Sequence, residues 1–326
     1  MVGMTTTTAP PATSAVSFEQ VTKTYGDVRA VDGLTLDLRP GETVALLGPN
    51  GAGKSSTLDL LLGLRRADSG TVRVFGTEPR EAITAGRVGA MLQSGGLMGE
   101  VTVRELVRLA CDLHPRPHRV ADVLARAGIG QIADRKVDKL SGGQEQRVRF
   151  ALATAGANDL IVLDEPTTGM DVTARQAFWA TMREQADQGR AVLFATHYLE
   201  EADAIADRVL VLHRGRLLAD GTAAEIKAKA GARKVAFDLT GDGTDDTGIA
   251  PGLVGRLRAL PFLTTLDVSG HTVRIQSTDA DATVHALYGL GVYPRNLEVA
   301  GLGLEQAFVA ITEAEEARTT APAGKA

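Results

Sequence analysis

Residues 48–55 have the residue types and spacing needed to hold phosphate groups. They read Gly-Pro-Asn-Gly-Ala-Gly-Lys-Ser, between the apolar run 44–47 and a predicted helix. Glycines let successive backbone N–H groups turn toward phosphate oxygens, and the helix start adds partial positive charge. We expect Lys54 to reach the terminal phosphates of a nucleotide and the Ser55 hydroxyl to bind Mg²⁺. The alternative for this phosphate loop is a glycine-rich turn without a ligand.

Two adjacent carboxylates, Asp164 and Glu165, follow the apolar run 160–163. Acids at the end of a buried strand are unfavourable unless a cation meets them, and bound Mg²⁺ would be that partner. We expect Asp164 to hold the ion through its water shell and Glu165 to polarise the attacking water. The alternative is a strand that ends in a charged loop.

Residues 140–144, the signature segment, read Leu-Ser-Gly-Gly-Gln. Ser141 followed three residues later by Gln144 predicts a capping box that opens a helix. A helix start with a serine and two glycines also exposes several N–H donors to an anion. The segment therefore predicts both a helix start and an anion-binding site.

The phosphate loop, the signature segment and the Asp-Glu strand together resemble the ATPase subunits of ABC transporters, over about residues 16–222. The resemblance implies an α/β P-loop NTPase domain of the ABC type with a helical signature subdomain. It also implies binding of ATP and Mg²⁺ and hydrolysis of ATP. The family forms dimers in which the signature segment of one subunit closes over the ATP of the other, so Ser141 and Gly143 are expected to act in trans.

The resemblance also assigns roles outside these three motifs. Tyr25 matches the aromatic residue that stacks on adenine, with simple packing as the alternative. Gln93 matches a glutamine that contacts Mg²⁺ and the water, and His197 a histidine that hydrogen-bonds the γ-phosphate. Asp171 is expected to help join the two ATP sites of a dimer. The predicted catalytic residues are Lys54, Gln93, Glu165 and His197, and the predicted metal ligands are Ser55, Gln93 and Asp164. The predicted nucleotide-binding residues are Tyr25, Gly48, Pro49, Asn50, Gly51, Ala52, Gly53, Lys54, Ser55, Ser56, Ser141, Gly142, Gly143, Gln144 and Asp171.

Short apolar runs must position these motifs. Their length and uniform apolarity favour buried parallel strands covered by helices on both faces. The Arg214-Gly215 pair predicts a hairpin between the last two strands of this α/β domain. The predicted strands include 44–47, 160–163, 191–195 and 209–212, and the predicted helices include 54–64, 102–113, 120–127, 144–155 and 173–188.

Beyond residue 222 the pattern changes to a β-α-β-β-α-β-α order, which predicts a small α+β, ferredoxin-like domain. We expect strands at 235–239, near 266, at 273–276 and near 297, and helices at 253–260, 280–290 and 304 to about 315. The predicted organisation is a disordered leader (1–14), the ATPase domain (15–222), a linker (223–234), the accessory domain (235–316) and a disordered tail (317–326).

Composition limits the class of protein. The chain has 326 residues, of which 44% are hydrophobic, and a net charge of −5, which argues against broad nucleic-acid binding. Its single cysteine, Cys111, excludes an internal disulfide and fits a reducing cytosol. No run of 18 apolar residues predicts a membrane span, and residues 1–14 lack the pattern of a signal peptide. These features indicate a cytosolic protein, and the resemblance to ABC-transporter ATPases implies that it is peripheral at the cytoplasmic face of the membrane, held by a separate permease.

The extra domain, the Gly-Met-Asp turn at residues 169–171 and the ending at residues 304–308 resemble the drug-export branch of the family, of the daunorubicin-resistance type. This resemblance implies efflux of a drug or antibiotic. The accessory domain is expected to strengthen or regulate the dimer, with packing alone as the alternative. Export of lipid or polysaccharide, import, a non-catalytic subunit, a P-loop kinase and a soluble ABC-type ATPase acting on nucleic acid or ribosomes are the alternative functions.

Overall fold

A computed structural model describes residues 14–93, 95–229, 231, 233–239 and 251–320. The predicted leader, except Ser14, and the last six residues of the predicted tail lie outside the described residues. The chain divides into two compact units, Met1–Thr222 and Ala223–Ala326. Each unit is described separately below.

The first unit contains nine strands and seven α-helices among its described residues. The strands are β1 (Val16–Tyr25), β2 (Val28–Leu38), β3 (Thr43–Leu47), β4 (Ser69–Val74), β5 (Val88–Met91), β6 (Leu160–Asp164), β7 (Ala191–Thr196), β8 (Arg208–His213) and β9 (Arg216–Gly221). The helices are α1 (Lys54–Leu61), α2 (Pro79–Thr84), α3 (Val103–Leu113), α4 (Val120–Arg126), α5 (Gly142–Ala153), α6 (Val172–Asp187) and α7 (Leu199–Ile205).

Six strands form one sheet in the order β5-β6-β7-β3-β8-β9. The first five are mutually parallel, and β9 joins β8 as an antiparallel hairpin, as predicted from the Arg214-Gly215 turn. Every residue of β3, β6 and β7 is buried, which confirms the prediction of buried parallel strands. Because these strands run in the same direction, the segments that follow them meet at one edge of the sheet.

A second sheet of the first unit was not predicted from the sequence. It is antiparallel, in the order β2-β1-β4. These strands mix apolar and polar residues, and β1 and β2 have several register shifts in their pairing, so they lack the uniform apolarity of β3 or β6. Their buried side chains, Phe18 among them, join the same apolar cluster as Leu46 of the parallel sheet.

Two helix limits differ from the prediction for identifiable reasons. Helix α1 ends at Leu61 rather than at residue 64, because Gly63 lies in the left-handed region at φ +62° and stops the helix. Helix α5 begins at Gly142 rather than at residue 144, because Ser141 is its N-cap.

The second unit has a four-stranded sheet among its described residues. The elements are α8 (Ala223–Lys229), β10 (Arg233–Asp238), α9 (Pro251–Arg258), β11 (Leu263–Ser269), β12 (Thr272–Ser277), α10 (Ala280–Gly289), β13 (Arg295–Gly301) and α11 (Leu304–Thr320). The sheet order is β11-β12-β10-β13, and all neighbouring strands are antiparallel. This order, with α9 and α10 as connections, has the ferredoxin-like topology. A separate apolar cluster that includes Phe237, Ile275 and Leu287 forms its core.

Two details of the second unit correct the predicted domain limits. Helix α11 runs to Thr320, so residues 317–320 are helical rather than part of a disordered tail. Strand β10 begins at Arg233, inside the predicted linker 223–234, whose first half is helix α8. Residues 317–320 read Ala-Arg-Thr-Thr, which is compatible with both a helix end and a disordered tail, so composition did not place this boundary.

In the part of the chain that the structure describes, no helix is both long enough and apolar enough to cross a bilayer.

The central strand β3 is expected to dominate the stability of the first unit. Leu46 is fully buried, whereas Leu64 is 53% exposed. Leu46→Ala should lower the free energy of unfolding by about 2–5 kcal/mol, because it removes buried methyl groups and leaves a cavity. Urea unfolding followed by the fluorescence of Trp179, the single tryptophan of the chain, reports on this unit. Leu64→Ala is the control, and an equal loss in both variants would contradict this account of the core.

Candidate functional site

The phosphate loop connects β3 to α1, and two of its glycines are required by close packing. An added Cβ at Gly48 would lie 2.6 Å from the Leu212 carbonyl oxygen. At Gly53 it would overlap the Ala30 carbonyl oxygen, and the residue has φ +102°, in the left-handed region. The loop is therefore held between β2 and β8, with no room for larger residues at these positions.

Lys54 is folded back into this loop. Its Nζ donates to the carbonyl oxygens of Gly48 (2.6 Å) and Pro49 (3.2 Å), and the residue is only 8% exposed. Burial lowers the pKa of the Lys54 ammonium, while the nearby charges of Glu165 and Asp164 oppose that change. The ammonium is thus placed among the loop carbonyls with two carboxylates close by.

Asp164 and Glu165 lie at the end of β6 and are 6% and 8% exposed. The Ser55 hydroxyl donates to Asp164 Oδ2 at 3.4 Å, so the first turn of α1 meets this strand end. Burial raises the pKa of the Asp164 carboxyl, the charge of Glu165 raises it further, and Lys54 lowers it. The hydroxyl and carboxylate are the hard oxygen ligands that Mg²⁺ prefers, so these residues fit a Mg²⁺ ion. No group of three or more His, Cys, Asp or Glu side chains is arranged around a metal position in the described segments.

Glu165 and His197 are in direct contact. His197 Nδ1 donates to Glu165 Oε2 at 2.6 Å. Glu165 adopts φ +51°, a left-handed conformation that is costly for a residue with a Cβ, while its N–H donates to the Ala195 carbonyl of β7. His197 follows β7 directly and its side chain is 51% exposed. The pair therefore joins the ends of two neighbouring strands, with the histidine open to solvent.

Gln93 and Tyr25 lie on elements that border this edge. Met91 of β5 is the register partner of Leu163, so Gln93 follows β5 next to the end of β6, and its side chain is exposed. Tyr25 ends β1 at the hairpin with β2, is 39% exposed, and its ring centroid lies 5.6 Å from Lys23 Nζ. Within the described residues, no hydrogen bond links either side chain to the phosphate loop, Asp164 or Glu165.

The signature segment opens α5 as the sequence predicts. Both halves of the capping box are present: Gln144 N–H donates to Ser141 Oγ (3.4 Å), and Ser141 N–H donates to Gln144 Oε1 (3.1 Å). The helix start faces the loop of Gly169 and Met170, which leads to Asp171, the N-cap of α6. No hydrogen bond joins residues 141–144 to residues 48–56 of the same chain in its described part.

Sequence reasoning missed one buried carboxylate beside this site, Glu201 of α7, which is 4% exposed. It accepts one hydrogen bond from Thr167, two residues after Glu165, and one from Thr196, directly before His197. The available signal was its position four residues after His197, in the helix that follows this residue. That spacing alone does not separate it from the adjacent Glu200, which is exposed.

The comparisons with known proteins agree with this geometry. The ABC transporter family model matches residues 31–168. Over 280 residues the chain is 34% identical to the Nod factor export ATP-binding protein I of Paraburkholderia xenovorans (strain LB400), covering 84% of this chain and 89% of that protein. This chain belongs to the ATP-binding proteins of ABC transporters.

Further relatives support this assignment. This ABC protein is 38% identical over 236 residues to the daunorubicin/doxorubicin resistance ATP-binding protein DrrA of Streptomyces peucetius, covering 70% of this chain and 71% of that one. Among solved structures, an ATP-binding subunit of an ABC transporter aligns with TM-score 0.62 and 27% identity, covering 67% of this chain and 94% of the other. A dimeric post-hydrolysis cassette, MJ0796 bound to ADP and Pi, aligns with TM-score 0.59 and 25% identity, covering 64% and 98%. The chain is an ATP-binding subunit with ATPase activity.

Asp164 should destabilise the protein in the absence of ligand. A carboxyl whose pKa is raised on folding contributes stability below its unfolded pKa of about 3.9, and that contribution is lost as pH rises through the folded value. Asp164→Asn should therefore raise the melting temperature of the ligand-free protein at pH 7, by an amount on the order of the 2–4 °C that 1 kcal/mol produces in a domain of this size. The difference should shrink as the pH is lowered toward 4.

Asp134→Asn is the control in the same calorimetric scans. Asp134 is 80% exposed and Arg104 lowers the pKa of its carboxyl, so this substitution should leave the melting temperature unchanged or slightly lower. A lower melting temperature for Asp164→Asn at pH 7 would contradict the assigned burial penalty.

Proposed function

We propose that this chain hydrolyses Mg²⁺-ATP to drive an ABC exporter, as one of two ATPase copies that bind a separate membrane permease at the cytoplasmic face. One observation carries the proposal: Lys54, Asp164, Glu165 and His197 meet at one edge of the parallel sheet, next to a loop in which Gly48 and Gly53 leave no room for a Cβ. This arrangement suits phosphoryl transfer, which depends mainly on positioning and charge stabilisation.

Each residue has a separate task in this proposal. The loop N–H groups and Lys54 bind the phosphates, for which the ammonium must leave the Gly48 and Pro49 carbonyls. Glu165 polarises the attacking water, and His197, whose side chain is 51% exposed, hydrogen-bonds the γ-phosphate. Ser55 and Asp164, joined by Gln93, would hold Mg²⁺, which when bound neutralises charge on the phosphates. Tyr25 would stack on adenine at the rim of the site.

The dimer accounts for the position of the signature segment. Ser141 and Gly142 are exposed at the start of α5, and in the described chain this helix start is not bonded to its own phosphate loop. N–H donors at a helix start attract phosphate oxygens, so the ATP held by a second copy is a suitable partner. Ser141 and Gly143 would then act in trans, with Asp171 beside the same interface. The similar cassette MJ0796 has been solved as a dimer, which supports the dimer of this proposal.

The direction of transport is inferred from the relatives. One is named for Nod factor export and another for daunorubicin/doxorubicin resistance, and both are similar to most of this chain. The first name states export, and the two names refer to different compounds, Nod factor and daunorubicin/doxorubicin. We propose efflux of a drug or antibiotic through the permease, and we propose that the second unit, residues 235–316 with the linker before it, strengthens or regulates the dimer.

The role of Glu165 is tested by Glu165→Gln. The amide keeps the shape of the side chain but cannot act as a base, so turnover should fall by about 10²–10⁴-fold. ATP should remain bound, and the variant should elute as a dimer with ATP and Mg²⁺ in size-exclusion chromatography with light scattering. Glu78→Gln, at a side chain that is 60% exposed, is the matched control. Wild-type turnover by the Glu165→Gln variant would remove Glu165 from the mechanism.

Lys54→Ala tests the phosphate contact. It should weaken ATP binding by at least about tenfold, equivalent to 1.4 kcal/mol, because a charged contact to the terminal phosphates is lost. The measurement is the rise in melting temperature with ATP concentration, which should be strong in the wild type and small in the variant. The ligand-free melting temperature is the control for folding. Equal ATP-dependent stabilisation in both proteins would exclude the proposed contact.

A further inference from the structure

Glu201 is a buried carboxylate to which the proposed mechanism gives no role. It lies in α7 and is 4% exposed, whereas its neighbour Glu200 in the same helix is exposed. Burying an ionised carboxylate is unfavourable unless hydrogen bonds and an opposite charge compensate. The partners of Glu201 therefore indicate why a carboxylate is placed there.

Both carboxylate oxygens of Glu201 are bonded to threonine hydroxyls. Thr167 Oγ1 donates to Glu201 Oε1 at 2.5 Å, and Thr196 Oγ1 donates to Oε2 at 3.1 Å. Thr167 is 1% exposed and Thr196 is fully buried, so water does not compete for these bonds. A bridge of this kind, closed to solvent at each end, fixes the distance between the two threonines.

A cation completes the cluster. Arg175 Nε of α6 lies 3.4 Å from Glu201 Oε1. Its guanidinium carbon is 4.4 Å from the centroid of the Tyr198 ring, and that ring is 4.0 Å from the ring of His197. The contacts of Glu201 thus extend, through Arg175 and Tyr198, to the exposed histidine of the site.

The two threonines belong to the segments that carry the reacting residues. Thr167 lies two residues after Glu165, in a turn where Thr168 N–H donates to the Glu165 carbonyl and Met170 N–H donates to the Thr167 carbonyl. Thr196 is the last residue of β7 and directly precedes His197. One carboxylate therefore ties together the segment after Glu165 and the segment before His197.

We propose that Glu201 is a positioning residue for ATP hydrolysis, which sets Glu165 and His197 relative to each other by bridging Thr167 and Thr196. It touches neither nucleotide nor water in this role. The proposal rests on the functions proposed above for Glu165 and His197. Glu165 is held in a left-handed conformation, which persists only where surrounding contacts impose it, and the Thr167 bond is one such contact. Displacement of a reacting group by about 1 Å can reduce turnover about 10²-fold.

The test compares Glu201→Ala, Glu201→Gln and the matched control Glu200→Ala in the full chain, by steady-state ATPase rate, ATP affinity and melting temperature. Glu201→Ala should lower kcat by about 10- to 100-fold and change the ATP dissociation constant by less than about threefold. Glu201→Gln should keep at least about a third of kcat, because an amide accepts from one threonine hydroxyl and donates to the other. Glu200→Ala should match the wild type.

The threonines provide an independent test if Glu201→Ala does not fold. Thr167→Val and Thr196→Val remove one hydroxyl each and keep the side-chain volume. If the bridge acts as a unit, each should lower kcat, and the double variant should lose little more than the stronger single variant. Strictly multiplicative losses would overturn the proposal, as would wild-type kcat in a folded Glu201→Ala or in both valine variants.

The outcomes also separate this inference from the proposed function. If Glu201→Ala lowers the melting temperature but leaves kcat per folded molecule unchanged, Glu201 serves folding alone. That result would refute the positioning role. In that case Glu165→Gln would still lower turnover by about 10²–10⁴-fold. Normal turnover by Glu165→Gln, in contrast, would refute the proposed mechanism itself, whatever Glu201→Ala does.

Discussion

Burial of charge at one edge of a dry sheet is the constraint on which the rest of this structure depends. Lys54, Asp164 and Glu165 are each less than 10% exposed, where water cannot solvate them. Two carboxylates against one ammonium leave an excess negative charge, and burial and this neighbouring charge act in the same direction on Asp164. An added cation relieves that excess, and phosphates then compensate both cations. The buried charges of the site are therefore better compensated when its ligands are bound than when they are absent.

Because charge is buried at this edge, the strands of the parallel sheet and the segments that follow them have different roles. The parallel strands β3, β6 and β7 are buried along their whole length and contribute one side chain to the proposed site, Asp164 at the end of β6, but they bring their ends together. Glu165 and His197 lie in the segments just after those strands. The hydrogen bond between them fixes the position of one side chain relative to the other. Glu201, in the helix after β7, also bonds to Thr167 in the turn after β6 and to Thr196 at the end of β7, and so holds these two segments together.

Some parts of this site and of the fold could be predicted from the sequence, and others could not. The phosphate loop, the Asp164–Glu165 strand end and the capping box at Ser141 are local patterns, in which spacing along the chain determines geometry. The antiparallel sheet of β1, β2 and β4 was missed because its strands are partly polar and irregularly paired. Strand order and the bridge at Glu201 depend on contacts between distant segments, which local spacing does not encode. The helical extent of α11 was missed because its composition resembles that of a polar tail.

The strand order also affects when the site can form during synthesis. Strand β3 carries the phosphate loop, yet its neighbours are β7 and β8, and Val44 pairs with Leu193 on one side and Arg208 on the other. About 150 further residues must therefore leave the ribosome before the strands that pair with β3 are available. Strand pairing across such sequence separations is slow. A nascent chain that stalls before β8 would expose an unpaired, apolar strand to chaperones rather than bind nucleotide.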